Sequence, residues 1–206
     1  MRKTVHTMTP SVGASQSKRD ALVCCARDLF AREGFHATGV DRILERAGVA
    51  KMTLYNHFGS KEQLIVAVLD RESRCLLDQM RSWIARSEDP FEQVLLLFDG
   101  LGAWFEAPER CGCLIQAAAA EFSDPGSPVG RAVLQHQARV QGLLAEITGA
   151  SECPDAPGLA GRIGLLLAGA MSSARIARSR APADQARKAA AVLLEDACRR
   201  AELRLE

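Results

Sequence analysis

"GVAKMTLYNHFGSKEQL", residues 48–64, is the stretch that decides how this chain is read. It contains Tyr55, the single tyrosine of the molecule. If residues 51–57 form a helix, Leu54 and Phe58 fall four apart and point inward. Lys51, Met52, Tyr55 and Asn56 then share the opposite face, which is polar and aromatic and carries no acid. So short a helix is not stable alone. It must be held through Val49, Leu54 and Phe58 against neighbouring helices.

Those neighbours are visible on both sides. Over residues 17–33, Leu22, Cys25, Ala26, Leu29 and Phe30 recur at helical spacing, and Gly34 closes the helix. In "HATGVDRILERAG", Thr38 and Asp41 are spaced as a capping pair ahead of an apolar stripe of Val40, Ile43, Leu44 and Ala47. Gly48 breaks that second helix after barely two turns. On the far side, Ser60 and Gln63 repeat the capping pattern and start a long fourth helix reaching about residue 86. Two short helices joined by a glycine turn, the second with an exposed acid-free face, make a helix-turn-helix. The second helix of such a pair enters the DNA major groove. Lys51 offers a charge to phosphate, Thr53 and Tyr55 offer hydroxyls, and His57 offers a ring N–H. The helix start after "GSKE" aims free N–H groups and Lys61 at a further phosphate.

The rest of the chain repeats the helical period. Residues 90–106 carry Phe91, Val94, Leu95, Phe98, Leu101 and Trp104. "CLIQAAAAEF" follows the loop "APERCG". The turn "SDPGSP" leads to a helix over residues 129–148, and "GASECPDAPG" reads as a loop. Residues 159–179 are apolar and rich in small residues, and Pro182 opens a last helix reaching about residue 203. No strand alternation appears. The expected fold is all-α, with about nine helices. Residues 1–16 are expected to be a disordered basic tail, residues 17–62 a DNA-binding domain, and residues 63–206 a larger ligand-binding and dimerisation domain.

Composition agrees with this. The whole-chain charge of +1 hides a basic front: residues 1–61 hold ten Lys and Arg against five Asp and Glu. A basic front suits an anionic partner. No apolar run is long enough to span a bilayer, and the first residues lack a signal-type apolar core. A cytoplasmic protein without membrane contact is expected. The seven cysteines, at 24, 25, 75, 111, 113, 153 and 198, show no zinc-ligand spacing. Reduced thiols are expected, with no metal and no cofactor.

The run "KRDALVCCARDLFAREGFHATGVDRILERAGVAKMTLYNHFGSKEQLIVAV" resembles the DNA-binding region of TetR-type transcriptional repressors over some fifty residues. The carrying motifs are "LFAREGFHAT", "AGVA", "TLYNHF" and "SKEQL". The resemblance implies an all-helical homodimer that binds a palindromic operator in double-stranded DNA and is released by a small-molecule inducer. By position it places Thr38, Lys51, Thr53, Tyr55, His57 and Lys61 on DNA. Met52 and Asn56 share the same face. Two departures stand out. Ala50 replaces the usual serine-type cap, and Met52 replaces a small residue or proline. Ala50 cannot cap by side chain, which weakens the helix start by about 1 kcal/mol. The last two helices resemble the family's dimerisation pair. Gly161, Gly164, Ala168, Gly169, Ser172 and Ser173 allow close approach, while Leu165, Leu166 and Leu167 spread around more than one side.

Rival readings remain open at this point. An enzyme would need a nucleophile, a base and an orienting group. Cys111, Cys113 and His136 can be drawn together, but nothing in their spacing demands it, and no enzymatic activity is expected. A constitutive or thiol-sensing regulator without an inducer is the other alternative. A helix start and Arg110 beside Cys111 and Cys113 would favour thiolate, although a pocket or core role for Cys113 is the simpler reading. Some 140 residues beyond the helix-turn-helix exceed what dimerisation needs. Phe98, Leu101, Trp104, Phe105, Cys113, Gln116, Phe122, His136 and Met171 are the candidate pocket residues. The inducer, the operator sequence and the sign of regulation are not encoded in any motif.

Overall fold

The structure is a computed structural model, and it describes residues 12–107, 113–151 and 153–202. Among these residues every regular element is an α-helix: α1 (Val12–Glu33), α2 (Val40–Ala47), α3 (Lys51–Phe58), α4 (Lys61–Ile84), α5 (Pro90–Glu106), α6 (Leu114–Glu121), α7 (Pro128–Gly149), α8 (Ala156–Ala177) and α9 (Ala181–Glu202). The first helix starts at Val12, five residues earlier than the apolar periodicity suggested. The backbone of residues 12–16 is therefore helical rather than part of a disordered tail. The stretch "VGASQ" holds no proline, and Pro10 precedes it, so nothing local stops the helix until then. The remainder of the expected tail, residues 1–11, lies outside the described residues. The eighth helix also starts earlier than expected, at Ala156. Asp155 caps it, accepting from Gly158 N–H at 3.1 Å, and Pro157 sits in its first turn.

The chain divides into two compact units, Met1–Val68 and Leu69–Glu206, with the division falling inside α4. In the first unit, Leu22, Ala26, Leu29 and Phe30 of α1 are buried with Phe35, Ile43 and Leu44, and with Leu54 and Phe58 of α3. Three glycines with positive φ close the helices: Gly34 at 84°, Gly48 at 64° and Gly59 at 72°. Residues with a Cβ disfavour this conformation, so glycine is required where the chain must turn this tightly. Gly34 N–H bonds Phe30 O at 3.0 Å, and Gly59 N–H bonds Tyr55 O at 2.9 Å. Ser60 accepts from Gln63 N–H at 3.1 Å, so the expected cap of α4 is present.

The second unit is a bundle. Helix α8 packs on α7 and α9, and α9 also packs on α5. Leu159, Ile163, Leu167, Ala170 and Ala174 of α8 are buried against Ala183, Ala190 and Leu194 of α9 and Leu143, Leu144 and Ile147 of α7. Asp89 caps α5 and Ser127 caps α7, each ahead of a proline in the first turn. Arg180 at the α9 start pairs with Asp184 at 3.1 Å and with Glu106 at 3.5 Å.

The small-residue pattern of α8 resolves into two faces. Gly164 is buried inside its own unit, where a Cβ would overlap the side-chain amide of Gln141. The adjoining stripe, Leu165, Ala168, Gly169, Ser172 and Ile176, is exposed. Leu165 is 76% exposed and Ile176 84%. Large apolar side chains standing this far into water on one helical stripe are unusual.

Candidate DNA-binding face and ligand cavity

Helix α3 owes its position to what lies beneath it. Leu54 is fully buried and Phe58 nearly so, and Arg19 of α1 stacks 5.2 Å over the Phe58 ring. Helix α2 is tied to α1 by Arg42–Glu33 at 2.7 Å and Arg46–Asp28 at 3.5 Å. The turn between α2 and α3 is closed by Gly48 N–H to Glu45 O at 3.3 Å and Val49 N–H to Leu44 O at 3.2 Å. Ala50 makes no side-chain cap, as its chemistry dictates; Thr53 N–H bonds the Ala50 carbonyl at 2.9 Å.

The outer face of α3 presents Lys51, Met52, Tyr55 and Asn56, all exposed, with Thr53 and His57 at its half-exposed margins. Met52 is 69% exposed and Tyr55 41%. No acid lies in the first turn of α3. An acid does stand beside it: Asp41 of α2 lies 3.7 Å from Lys51 Nζ. Lys61, at the start of α4, reaches back to the His36 carbonyl at 3.5 Å.

Thr38 departs from expectation. It is 0% exposed, and its hydroxyl donates to the Gly34 carbonyl at 2.7 Å. Gly39, not Thr38, holds the N-cap position of α2, and no side-chain cap bond is made there. The Thr38 side chain therefore locks the α1–α2 turn and is not part of the exposed face. A threonine spaced correctly for a cap lost that role because the Gly34 carbonyl, freed at the end of α1, lay closer.

The second unit contains a cavity of about 630 Å³. Its wall is built by α4 (Leu76, Met80, Trp83), α5 (Leu101), the start of α6 (Cys113, Ile115, Gln116, Ala119), α7 (Val133, His136, Gln137, Val140, Gln141) and α8 (including Arg162, Leu165, Leu167, Ala168 and Met171). Exposed Leu165, Ala168 and Ala119 stand at its rim. The volume and the mostly apolar wall with a few polar groups are those of small-molecule sites.

Five of the nine residues expected there lie on this wall: Leu101, Cys113, Gln116, His136 and Met171. Phe98 and Trp104 are buried elsewhere in the bundle, and Phe105 and Phe122 are also off the wall. Trp104 packs edge-on to Phe105, ring centroids 4.9 Å apart. Aromatic character identified them as candidates, but helix rotation about α5 turns only Leu101 to the cavity. The missed residues did carry a signal. Leu76, Met80 and Trp83 are spaced i, i+4, i+7, and Val133, His136, Gln137, Val140 and Gln141 form one stripe of α7.

Two polar devices flank the wall. Gln116 Nε2 donates to the Ala168 carbonyl at 3.2 Å, bridging α6 to α8. His136 Nδ1 lies 2.9 Å from Ser73 Oγ, to which Arg139 also donates at 3.2 Å while holding Asp70 at 3.1 Å. Burial, seconded by the Arg139 charge, lowers the His136 pKa from 6.5 to about 4. Cys113 lies at the N-cap of α6, as the sequence suggested, but burial pushes its thiol pKa up, outweighing the N–H groups of Gln116 and Ile115. A buried thiol held protonated is a poor nucleophile. Cys111 and Arg110 lie outside the described residues.

Residues 25–68, which span the helix-turn-helix, match the family model described as bacterial regulatory proteins, tetR family. The DNA-binding region of the chain is thus of TetR-family type. It is 40% identical over 72 residues to the HTH-type transcriptional activator FasR of Mycolicibacterium smegmatis, covering 35% of this chain and 33% of that one. It is 38% identical over 102 residues to the HTH-type transcriptional repressor KstR2 of the same organism, covering 50% of this chain and 47% of that one. These alignments span between a third and a half of the curated relatives' length. The fold of the TetR-family regulator from Streptomyces coelicolor matches with a TM-score of 0.81 at 29% identity, over 88% of this chain and 96% of that one.

Proposed function

We propose that this TetR-family chain is a DNA-binding transcriptional regulator without enzymatic activity, which reads a palindromic operator as a homodimer and responds to a small molecule held in the cavity of its second unit. The observation that carries the first part is the outer face of α3. It is short, exposed, rich in donors and free of acid along its own length, and a buried Leu54–Phe58 base holds it rigidly. Lys51, Met52, Thr53, Tyr55, Asn56 and His57 are the contacting residues, with Lys61 at the start of α4. Phosphate contacts would set register, and Asn56 and Met52 have the chemistry to read base edges.

The exposed stripe of α8 supports the dimer. A second copy would cover Leu165 and Ile176, and operator symmetry needs two readers about one helical turn of DNA apart, roughly 34–36 Å. Ligand binding releases DNA only if it favours a conformation that holds the reading heads wrongly. Helix α4 is suited to carry that signal, since it supplies Leu64, Ile65 and Val68 to the core of the first unit and Leu76, Met80 and Trp83 to the cavity wall. Repression is the favoured sense, although the two similar regulators above include an activator and a repressor by name. Among the described residues no helix is long and apolar enough to cross a membrane, which suits a cytoplasmic regulator.

Selection of bound sequences from random duplex DNA, followed by gel shift, tests this reading. A palindromic consensus bound by the wild type and lost on Tyr55→Ala is the expected result. Enrichment of no sequence would overturn it. Screening apolar compounds for release of the selected DNA then tests the inducer arm.

A further inference from the structure

The cavity wall holds a hydrogen-bonding arrangement that apolar packing does not require. Ser73 of α4 is 2% exposed, and its Oγ sits between His136 Nδ1 at 2.9 Å and Arg139 Nη1 at 3.2 Å. A guanidinium can only donate, so Arg139 occupies an acceptor lone pair of the hydroxyl. The buried hydroxyl has no other acceptor among the described residues, so its proton is satisfied only by His136 Nδ1. An imidazole that accepts at Nδ1 is neutral and carries its proton on Nε2. Asp70 fixes the other side of the chain by accepting from Arg139 at 3.1 Å.

His136 Nε2 makes no hydrogen bond among the described residues, and it is not one of their fully buried side-chain atoms left without a partner. It is an accessible donor on a residue of the cavity wall. The charge around it is balanced. Among the described residues no Asp or Glu lines the cavity. Arg162, the single cation on its wall among the described residues, is held by Asp155 through both terminal nitrogens at 3.1 and 3.2 Å. A cationic ligand would meet no carboxylate among these lining residues. A carboxylate ligand would have to compete with Asp155 for the one cation on the wall.

We infer that the cavity takes an uncharged, largely apolar molecule whose carbonyl oxygen accepts a hydrogen bond from His136 Nε2–H. This rests on the reading of the cavity as a small-molecule site. Ser73 and Arg139 are positioning residues: they hold the tautomer and do not touch the ligand.

The test uses four compounds built on the diphenylmethyl scaffold, measured by calorimetry on the full chain. Benzophenone is the uncharged ketone, diphenylmethane the hydrocarbon, diphenylacetate the carboxylate and benzhydrylamine the cation. Benzophenone is expected to bind about tenfold tighter than diphenylmethane, the scale of one hydrogen bond, and tighter than either charged compound. In His136→Phe the ketone advantage over the hydrocarbon disappears, while diphenylmethane binds as before. In Ser73→Ala the advantage narrows, because the tautomer is no longer fixed. Equal binding of ketone and hydrocarbon by the wild type would overturn the role of His136 and leave the cavity as a ligand site. Tightest binding of the carboxylate or the ammonium would overturn the ligand class. Binding of none of the four would remove both this inference and the reading it rests on. The wild-type comparison decides even if a variant fails to fold.

Discussion

Lys51 Nζ of α3 lies 3.7 Å from the Asp41 carboxylate of α2, and both side chains are mostly exposed. An exposed pair of this kind is worth little, about 0–1 kcal/mol, so DNA phosphate can replace Asp41 as the partner of Lys51. Asp41→Asn should therefore tighten operator binding a few-fold. Lys51→Ala should weaken it and reduce the slope of log affinity against log salt by about one. An unchanged slope in Lys51→Ala would place this lysine off the phosphate backbone.

Tyr55 is half-exposed in the middle of the face, and its hydroxyl is the group proposed to meet a phosphate. Tyr55→Phe keeps the ring and removes only the donor. A loss of about 1–2 kcal/mol in DNA binding is expected, with an unaltered melting temperature. Retained affinity in a titration with the selected operator would show that the ring alone matters.

Gly164 and Leu165 are neighbours in sequence with opposite surroundings. Leu165→Glu should leave the fold intact and give monomers by sedimentation, with loss of specific DNA binding. Gly164→Ala should instead leave the dimer intact and change stability by less than about 1 kcal/mol, because its Cβ need only displace the end of the flexible Gln141 side chain while alanine favours the helix. A dimeric Leu165→Glu protein would move the interface away from this stripe.

His136 gives the second unit a pH dependence of known sign. Its pKa is about 4 in the folded chain against an ordinary 6.5. Between those values the unfolded chain binds a proton that the folded chain does not, so stability falls as pH drops below 6.5 and this contribution levels off near 4. Urea unfolding at pH 7 and pH 5 should show a loss of about 1–2 kcal/mol in the wild type beyond that in His136→Gln. Equal losses in both proteins would mean that folding does not lower the His136 pKa.

The amino-acid sequence by itself determined the helices and the reading face. Helical period and glycine stops act within a few residues, so "GVAKMTLYNHFGSKEQL" showed Leu54 and Phe58 inward and Lys51, Met52, Tyr55 and Asn56 outward. Even the missing cap at Ala50 was legible, because capping is a matter of one side chain. What needed tertiary structure was every property set by a neighbour distant in the chain. Thr38 has the spacing of a cap, yet the Gly34 carbonyl takes its hydroxyl. Lys51 is clear of acid along its own helix, yet Asp41 stands against it from the preceding one. Gly164 and Ala168 look alike in a small-residue run and lie one turn apart, but Gln141 of α7 covers the first while the second is exposed. The cavity was the least legible feature, since α4 to α8 each contribute only part of its wall. Phe98 and Trp104 have the right chemistry and face elsewhere, whereas Asp70 and Ser73 of α4 meet Arg139 and His136 of α7, more than sixty residues away, in one hydrogen-bonded chain at the wall.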